Sequence, residues 1–122
     1  MEIEPRAYEV YNERGLVRYS LNQLEKSLAD FNVAIALNKK YAQAYMNRGT
    51  IKTEMKNYQA AIIDFSHAIE INPKDVLAYI SRGTIFMVHF NDNKKACTDW
   101  KRACELGSCR NYKFARKKGL CR

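Results

Sequence analysis

The sequence predicts an all-α solenoid made of three helical hairpins and a closing helix. The decapeptides "ADFNVAIALN" (29–38) and "IDFSHAIEIN" (63–72) coincide at a shift of 34 residues, and "TDWKRACELG" (98–107) follows at a shift of 35. Upstream of each stands a second recurring string: "YNERG" (11–15), "YMNRG" (45–49) and "YISRG" (79–83). Apolar residues within the units recur at helical spacing, and no period-2 run suggests a strand. A fixed period of this length marks a stacked repeat, in which one unit cannot bury its own apolar face and about three are needed.

The hairpins are expected over 7–40, 41–74 and 75–108, with a capping helix over 109–120, all in a single domain spanning 1–122. In the second hairpin Ala61, Phe65 and Ala68 share one helical face, and its two small residues imply that another helix comes very close. Gly15, Gly49 and Gly83 serve the same approach, while Phe31, Phe65 and Trp100 are expected to fill the space between neighbouring hairpins. Asn22, Asn57 and either Asn91 or Asp92 stand where the second helices should be capped, and Asp75 where the first helix of repeat three begins. Gly107 is a helix stop. Beyond it Tyr112, Ala115 and Leu120 should face the last repeat, with Arg116, Lys117 and Lys118 in water.

These strings resemble tetratricopeptide repeats (TPR). The family places an aromatic four residues before a glycine, then a small residue, an aromatic and an alanine on the second helix, and a proline in the turn. Repeat two carries Tyr45, Gly49, Ala61, Phe65, Ala68 and Pro73. Repeat one has Tyr11, Gly15, Ser27, Phe31 and Ala34, with Lys39 where the proline would fall. Repeat three has Tyr79, Gly83, Ala96, Trp100 and Ala103, with one extra residue between its helices. The resemblance covers about residues 7–108 and implies a TPR solenoid that presents a concave groove to proteins or peptides.

It further implies which residues line that groove. On the first helices these are Glu9, Asn12, Leu16 and Tyr19; Gln43, Met46, Asn47, Thr50, Thr53 and Glu54; and Leu77, Ile80, Ser81, Thr84, Met87 and Val88. The groove should be polar and slightly acidic at its N-terminal end and apolar towards repeat three. The apolar Leu77, Ile80, Met87 and Val88 mark either a binding site or a face covered by the cap helix or by a second copy of the chain. One TPR subgroup grips the C-terminal carboxylate of chaperones with basic and Asn side chains. The corresponding positions here are Asn12, Leu16, Asn47, Leu77 and Ser81, with only Asn47 of the right type, so that clamp is not expected.

A second threefold pattern pairs Arg14, Arg48 and Arg82, each before its glycine, with Asp30, Asp64 and Asp99, each before its aromatic. Planar Arg suits a carboxylate, and three equal copies suit a structural ladder better than a catalytic site. His67 and His89 stand alone, and no phosphate loop, nucleophile elbow or zinc-protease motif occurs. No enzyme activity, cofactor or metal is expected.

All four cysteines lie near the C-terminus. If the cap helix folds back antiparallel, Cys109 comes near Cys104 and Cys121 near Cys97, so the candidate disulfides are Cys97–Cys121 and Cys104–Cys109. Four free thiols or a zinc site are the alternatives, the latter without CxxC or a nearby His. The ending also resembles the closing repeats of some bacterial TPR proteins, many of them exported, which supports disulfides. Paired cysteines imply a periplasmic or secreted protein; free ones imply the cytoplasm.

The composition, 47% hydrophobic with 28% charged, is ordinary for a soluble domain, and no apolar run reaches the length of a membrane span. The opening "MEIEPRAYEV" shows no secretion leader. The net charge of +8 is concentrated in residues 94–122, which hold ten of the 21 Lys and Arg, including Arg110, Lys113, Arg116, Lys117 and Lys118, against two acidic residues. This basic end is either a solvated cap or a patch for a polyanion such as a polysaccharide, phospholipid or nucleic acid. Nucleic acid is the least expected, because no recognition motif accompanies the charge. The expected function is a non-catalytic protein- or peptide-binding scaffold. The alternatives are an adaptor for a polyanion or an oligomerisation element, such as a homodimer through repeat three.

Overall fold

The computed structural model describes residues 6–121. Arg122, counted above in the basic tail, lies outside them. Among the described residues there are seven helices and no strand: α1 (Ala7–Ser20), α2 (Leu24–Leu37), α3 (Ala42–Glu54), α4 (Tyr58–Ile71), α5 (Val76–His89), α6 (Asn93–Glu105) and α7 (Arg110–Lys117). α1/α2, α3/α4 and α5/α6 form hairpins, α2 packs on α3 and α4 on α5, and α7 packs on α6. None of the helices is long and apolar enough to cross a membrane.

The glycines have a more specific use than close helix approach. A Cβ at Gly15 would lie 2.6 Å from Phe31, at Gly49 2.9 Å from Phe65, and at Gly83 2.7 Å from Trp100. Each aromatic therefore lies on the glycine of its own hairpin, in addition to the expected place between neighbouring hairpins that Phe65 takes. Phe65 also meets Ile85 of the next repeat in one buried cluster. A methyl at Gly15 gains about 1 kcal/mol of helix propensity, but overpacking against a fully buried ring costs about 1–3 kcal/mol. The glycine wins.

The junctions between repeats are latched by tyrosines. The Tyr45 hydroxyl donates to the Lys39 carbonyl and the Tyr79 hydroxyl to the Pro73 carbonyl, both at 3.0 Å. Only the main chain accepts, so Lys39 substitutes for proline without losing the latch. Small residues meet at the same seams: Ala34, Ala44, Ala68 and Ala78 are fully buried in one cluster.

Two capping expectations need correction. Asn22 is not a cap. It adopts φ 61° as the left-handed residue that ends α1, and Lys56 (φ 65°) and Asn91 (φ 51°) do the same after α3 and α5. The following N–H groups of Gln23 and Asn57 bond back to Arg18 and Lys52, as a chain reversal of this kind requires. Asn57 holds the cap position of α4 without a side-chain bond. Asp92 and Asp75 do cap, accepting from the backbone N–H of Lys95 (3.0 Å) and Ala78 (3.2 Å). The extra residue of repeat three widens the α5–α6 turn, where the Asp92 N–H bonds back six residues to Phe86.

At the C-terminal end Ala115 is fully buried against Trp100 and Cys121, with Met87, Cys97 and Tyr112 around them. Leu120 remains partly exposed. Cys97 is bonded to Cys121 and Cys104 to Cys109, so α7 is tied to α6 at both ends.

Candidate functional site: the groove of the first helices

The first helix of each hairpin contributes to one continuous depression. A cavity of about 540 Å³ is lined by Glu13, Leu16, Gln43, Met46, Asn47, Thr50, Asp75, Leu77 and Ser81. A neighbouring cavity of about 250 Å³ shares Thr50 and Ser81 and adds Thr53, Glu54, Phe65, Ile80, Thr84, Ile85 and His89. Helical spacing puts most of these side chains on one face of α1, α3 and α5, while Phe65 reaches in from α4 and Asp75 from the cap of α5.

Most residues expected in the groove line it, and the exceptions have physical reasons. Asn12 is only 1% exposed, and its carbonyl oxygen accepts from Asn47 at 2.9 Å while its amide donates to the Tyr41 hydroxyl at 3.4 Å. It is a buried bridge between repeats one and two, unavailable to a partner. Met87 packs on the Trp100–Ala115–Cys121 cluster instead of facing the groove, and Val88 is exposed but lines neither cavity. Glu9 is exposed beside Arg6, outside both cavities. Tyr19 donates to Glu54 at 3.1 Å across the α1–α3 seam. The apolar patch of repeat three thus reduces within the groove to half-buried Ile80 and to Leu77, which is 65% exposed.

The expected groove set lacks five lining residues: Glu13, Phe65, Asp75, Ile85 and His89. Glu13 is one turn beyond Glu9 on the same side of α1, a signal that was present. Asp75 was read as a cap and serves both purposes. His89 stacks on Tyr58 at 3.6 Å, a contact between elements that no local pattern announces.

The lining is acidic. Glu13, Glu54 and Asp75 contribute carboxylates, and no Lys or Arg lines either cavity. Burial, followed by the hydrogen bond to Glu54, raises the Tyr19 phenol above its ordinary value. Burial, followed by the nearby Glu9 and Glu13 charges, does the same for Tyr41. Both phenols therefore stay neutral through the physiological range.

Behind the groove Arg14 binds Asp30 with two hydrogen bonds of 3.0 and 2.7 Å, Arg48 binds Asp64 at 2.9 and 2.8 Å, and Arg82 binds Asp99 at 2.9 and 2.7 Å. The carboxylates are buried. Arg18 and Lys52 add second cations to Asp30 and Asp64, whereas the third repeat has Phe86 at that place.

On the cap, Arg110, Lys113, Arg116, Lys117 and Lys118 are all exposed. Phe114 is exposed among them with Lys118 over its ring, and Arg116 lies over Tyr112. A cavity of about 390 Å³ between α6 and α7 is flanked by Lys94, Thr98, Lys101 and Tyr112.

Family profiles described as "Tetratricopeptide repeat" and "TPR repeat" match residues 42–75 and 15–55. The TPR domain of Arabidopsis OM64 is 32% identical with a TM-score of 0.83, over 93% of both chains. The chain belongs to the tetratricopeptide repeat family. Another similar structure is the crystal structure of MamA, 27% identical with a TM-score of 0.79; the match covers 81% of this chain and spans 57% of the MamA chain. The first TPR of Spaghetti (RPAP3), bound to the HSP90 peptide SRMEEVD, is 16% identical with a TM-score of 0.85 over 98% of this chain and 94% of that one, a likeness of fold. No curated protein matches the sequence significantly. The profiles stop short of the third TPR unit, the one with an extra residue and Trp in place of Phe.

Proposed function

We propose that this TPR chain is a non-catalytic adaptor that binds an extended protein segment in the groove of α1, α3 and α5. The segment it suits is neutral or basic with at least one apolar side chain. The supporting observation is the lining itself: three carboxylates, no Lys or Arg, and Leu77 exposed on the wall. Coulomb complementarity favours Lys or Arg in the ligand and penalises an acidic one. An acidic ligand like the SRMEEVD peptide of the Spaghetti complex would meet like charge here. Fluorescence anisotropy with matched basic and acidic peptides of equal apolar content tests the reading. The basic peptide should bind, and Leu77→Ser should weaken it about tenfold. Preferential binding of the acidic peptide would sink the proposal.

The exposed Phe114 among Lys113, Lys117 and Lys118 favours a second reading, in which the cap helix binds a polyanion. Such binding should collapse when salt is raised, whereas groove binding through Leu77 should persist.

A further inference from the structure

We propose that the chain forms a homodimer through the outer face of α1, two copies packing parallel about a two-fold axis that runs along the helix. The repeat register identifies the face. Val10 occupies the place of Ala44 and Ala78, and Val17 that of Ile51 and Ile85. Those four equivalents are at most 2% exposed because the preceding hairpin covers them, whereas Val10 and Val17 are 57% and 56% exposed. A helix face left in water needs to be polar, and this one carries an apolar stripe that continues into exposed Leu21.

A further hairpin continuing the stack does not suit this face. At the existing seams Ala34 and Ala44, and Ala68 and Ala78, let helices approach closely in the buried core. Valine at position 10 puts two extra carbons where that approach needs a methyl. Nor can copies join head to tail, because α7 already covers the outer face of α6 around Trp100. What remains is a face that matches itself, as a two-fold interface requires.

The charges select the orientation. At 100° per residue, Glu13 and Arg14 lie on opposite flanks of the Val10–Val17 stripe. Rotation about an axis parallel to the helix sets the Glu13 flank of one copy beside the Arg14 flank of the other, on both sides of the stripe. An antiparallel pair would oppose Arg14 to Arg14. Arg14 is also short of a partner. Arg48 and Arg82 use Nη1 to donate to Asn32 (3.1 Å) and Ser66 (3.0 Å) on the preceding hairpin, whereas Arg14 Nη1 finds no such acceptor among the described residues.

Sedimentation equilibrium of the full chain across a concentration series tests this. Wild type should dimerise. Val17→Glu should abolish the dimer, and Glu13→Arg should raise its Kd about tenfold or more by opposing Arg to Arg14. Both sites are exposed, so circular dichroism should show unchanged helicity. A chain monomeric at its highest soluble concentration would overturn the proposal. So would a dimer untouched by both variants, or one dissociated by Leu77→Glu instead, which would move the contact to repeat three.

Discussion

At the scale of single residues, the Arg–Asp ladder separates ion pairs that matter from those that do not. Asp64 is buried and holds Arg48 by two hydrogen bonds and Lys52 at 3.2 Å, so both its oxygens are engaged inside the protein. Replacing it with Asn leaves two cations without a counter-charge. Arg48 and Lys52 each retain about a fifth of their surface and can partly rehydrate, which places the cost at the low end for a broken buried pair, about 3 kcal/mol. The urea midpoint of Asp64→Asn should fall accordingly. Removal of Glu105, whose pair with Arg102 is half exposed, should leave the midpoint unchanged. A loss below about 1 kcal/mol for Asp64→Asn would mean that the ladder is dispensable. The sequence announced the Arg and Asp pairs through their threefold spacing. It did not announce Arg18 and Lys52, because the third copy has Phe86 and the pattern breaks.

At the scale of elements, repeats one and two are sewn together by polar contacts of α1 along the length of α3. Asn12 meets Asn47 and Tyr41, and Tyr19 meets Glu54. The two phenols have raised pKa values in the folded chain, so folding favours their neutral form. Their contribution is fully present below the unfolded tyrosine value of about 10 and is lost as pH rises through the higher folded values. The melting temperature should therefore drop on alkaline titration, and Tyr19→Phe, which has no proton to lose, should drop less steeply over the same range. Parallel curves for the two proteins would remove Tyr19 from the seam's energetics. None of this seam was read from sequence. Asn12 looked like a groove residue because its helical phase allowed it, and only the packing of α3 over it turned it into a buried bridge.

At the scale of the whole molecule, the two ends differ. The C-terminal end is closed by α7 and tied by two disulfides, one spanning 24 residues of chain, while among the described residues no further helix packs on the outer side of α1. Stacked repeats gain stability from their neighbours, so an open end should fray first. Hydrogen exchange on dilute protein should show amides of α1 opening faster than those of α5 and α6. In the double variant Cys97→Ser, Cys121→Ser, about 3 kcal/mol of loop constraint is lost and α7 should join the fast class. Uniform protection from α1 to α7 would contradict this gradient. Charge is divided over the surface: the carboxylates Glu13, Glu54 and Asp75 line the groove, and the cap helix is basic.

Sequence alone determined the helical class, the period, the hairpin order and the face of each helix that turns inward. These follow from local chemistry, since a helix of period 3.6 can bury only one stripe and a repeated stripe needs a repeated neighbour. It also indicated most of the groove, because helical phase fixes the direction of side chains relative to the glycine. Tertiary structure decided what phase cannot: that the aromatics lie on their own glycines, that Asn12 and Met87 are covered, that Glu13, Asp75 and His89 reach the groove, and that the outer stripe of α1 stays bare. Each depends on how far one helix tilts and slides over the next. That displacement is set by the sizes of side chains meeting from distant parts of the chain, and no short stretch of sequence contains both partners.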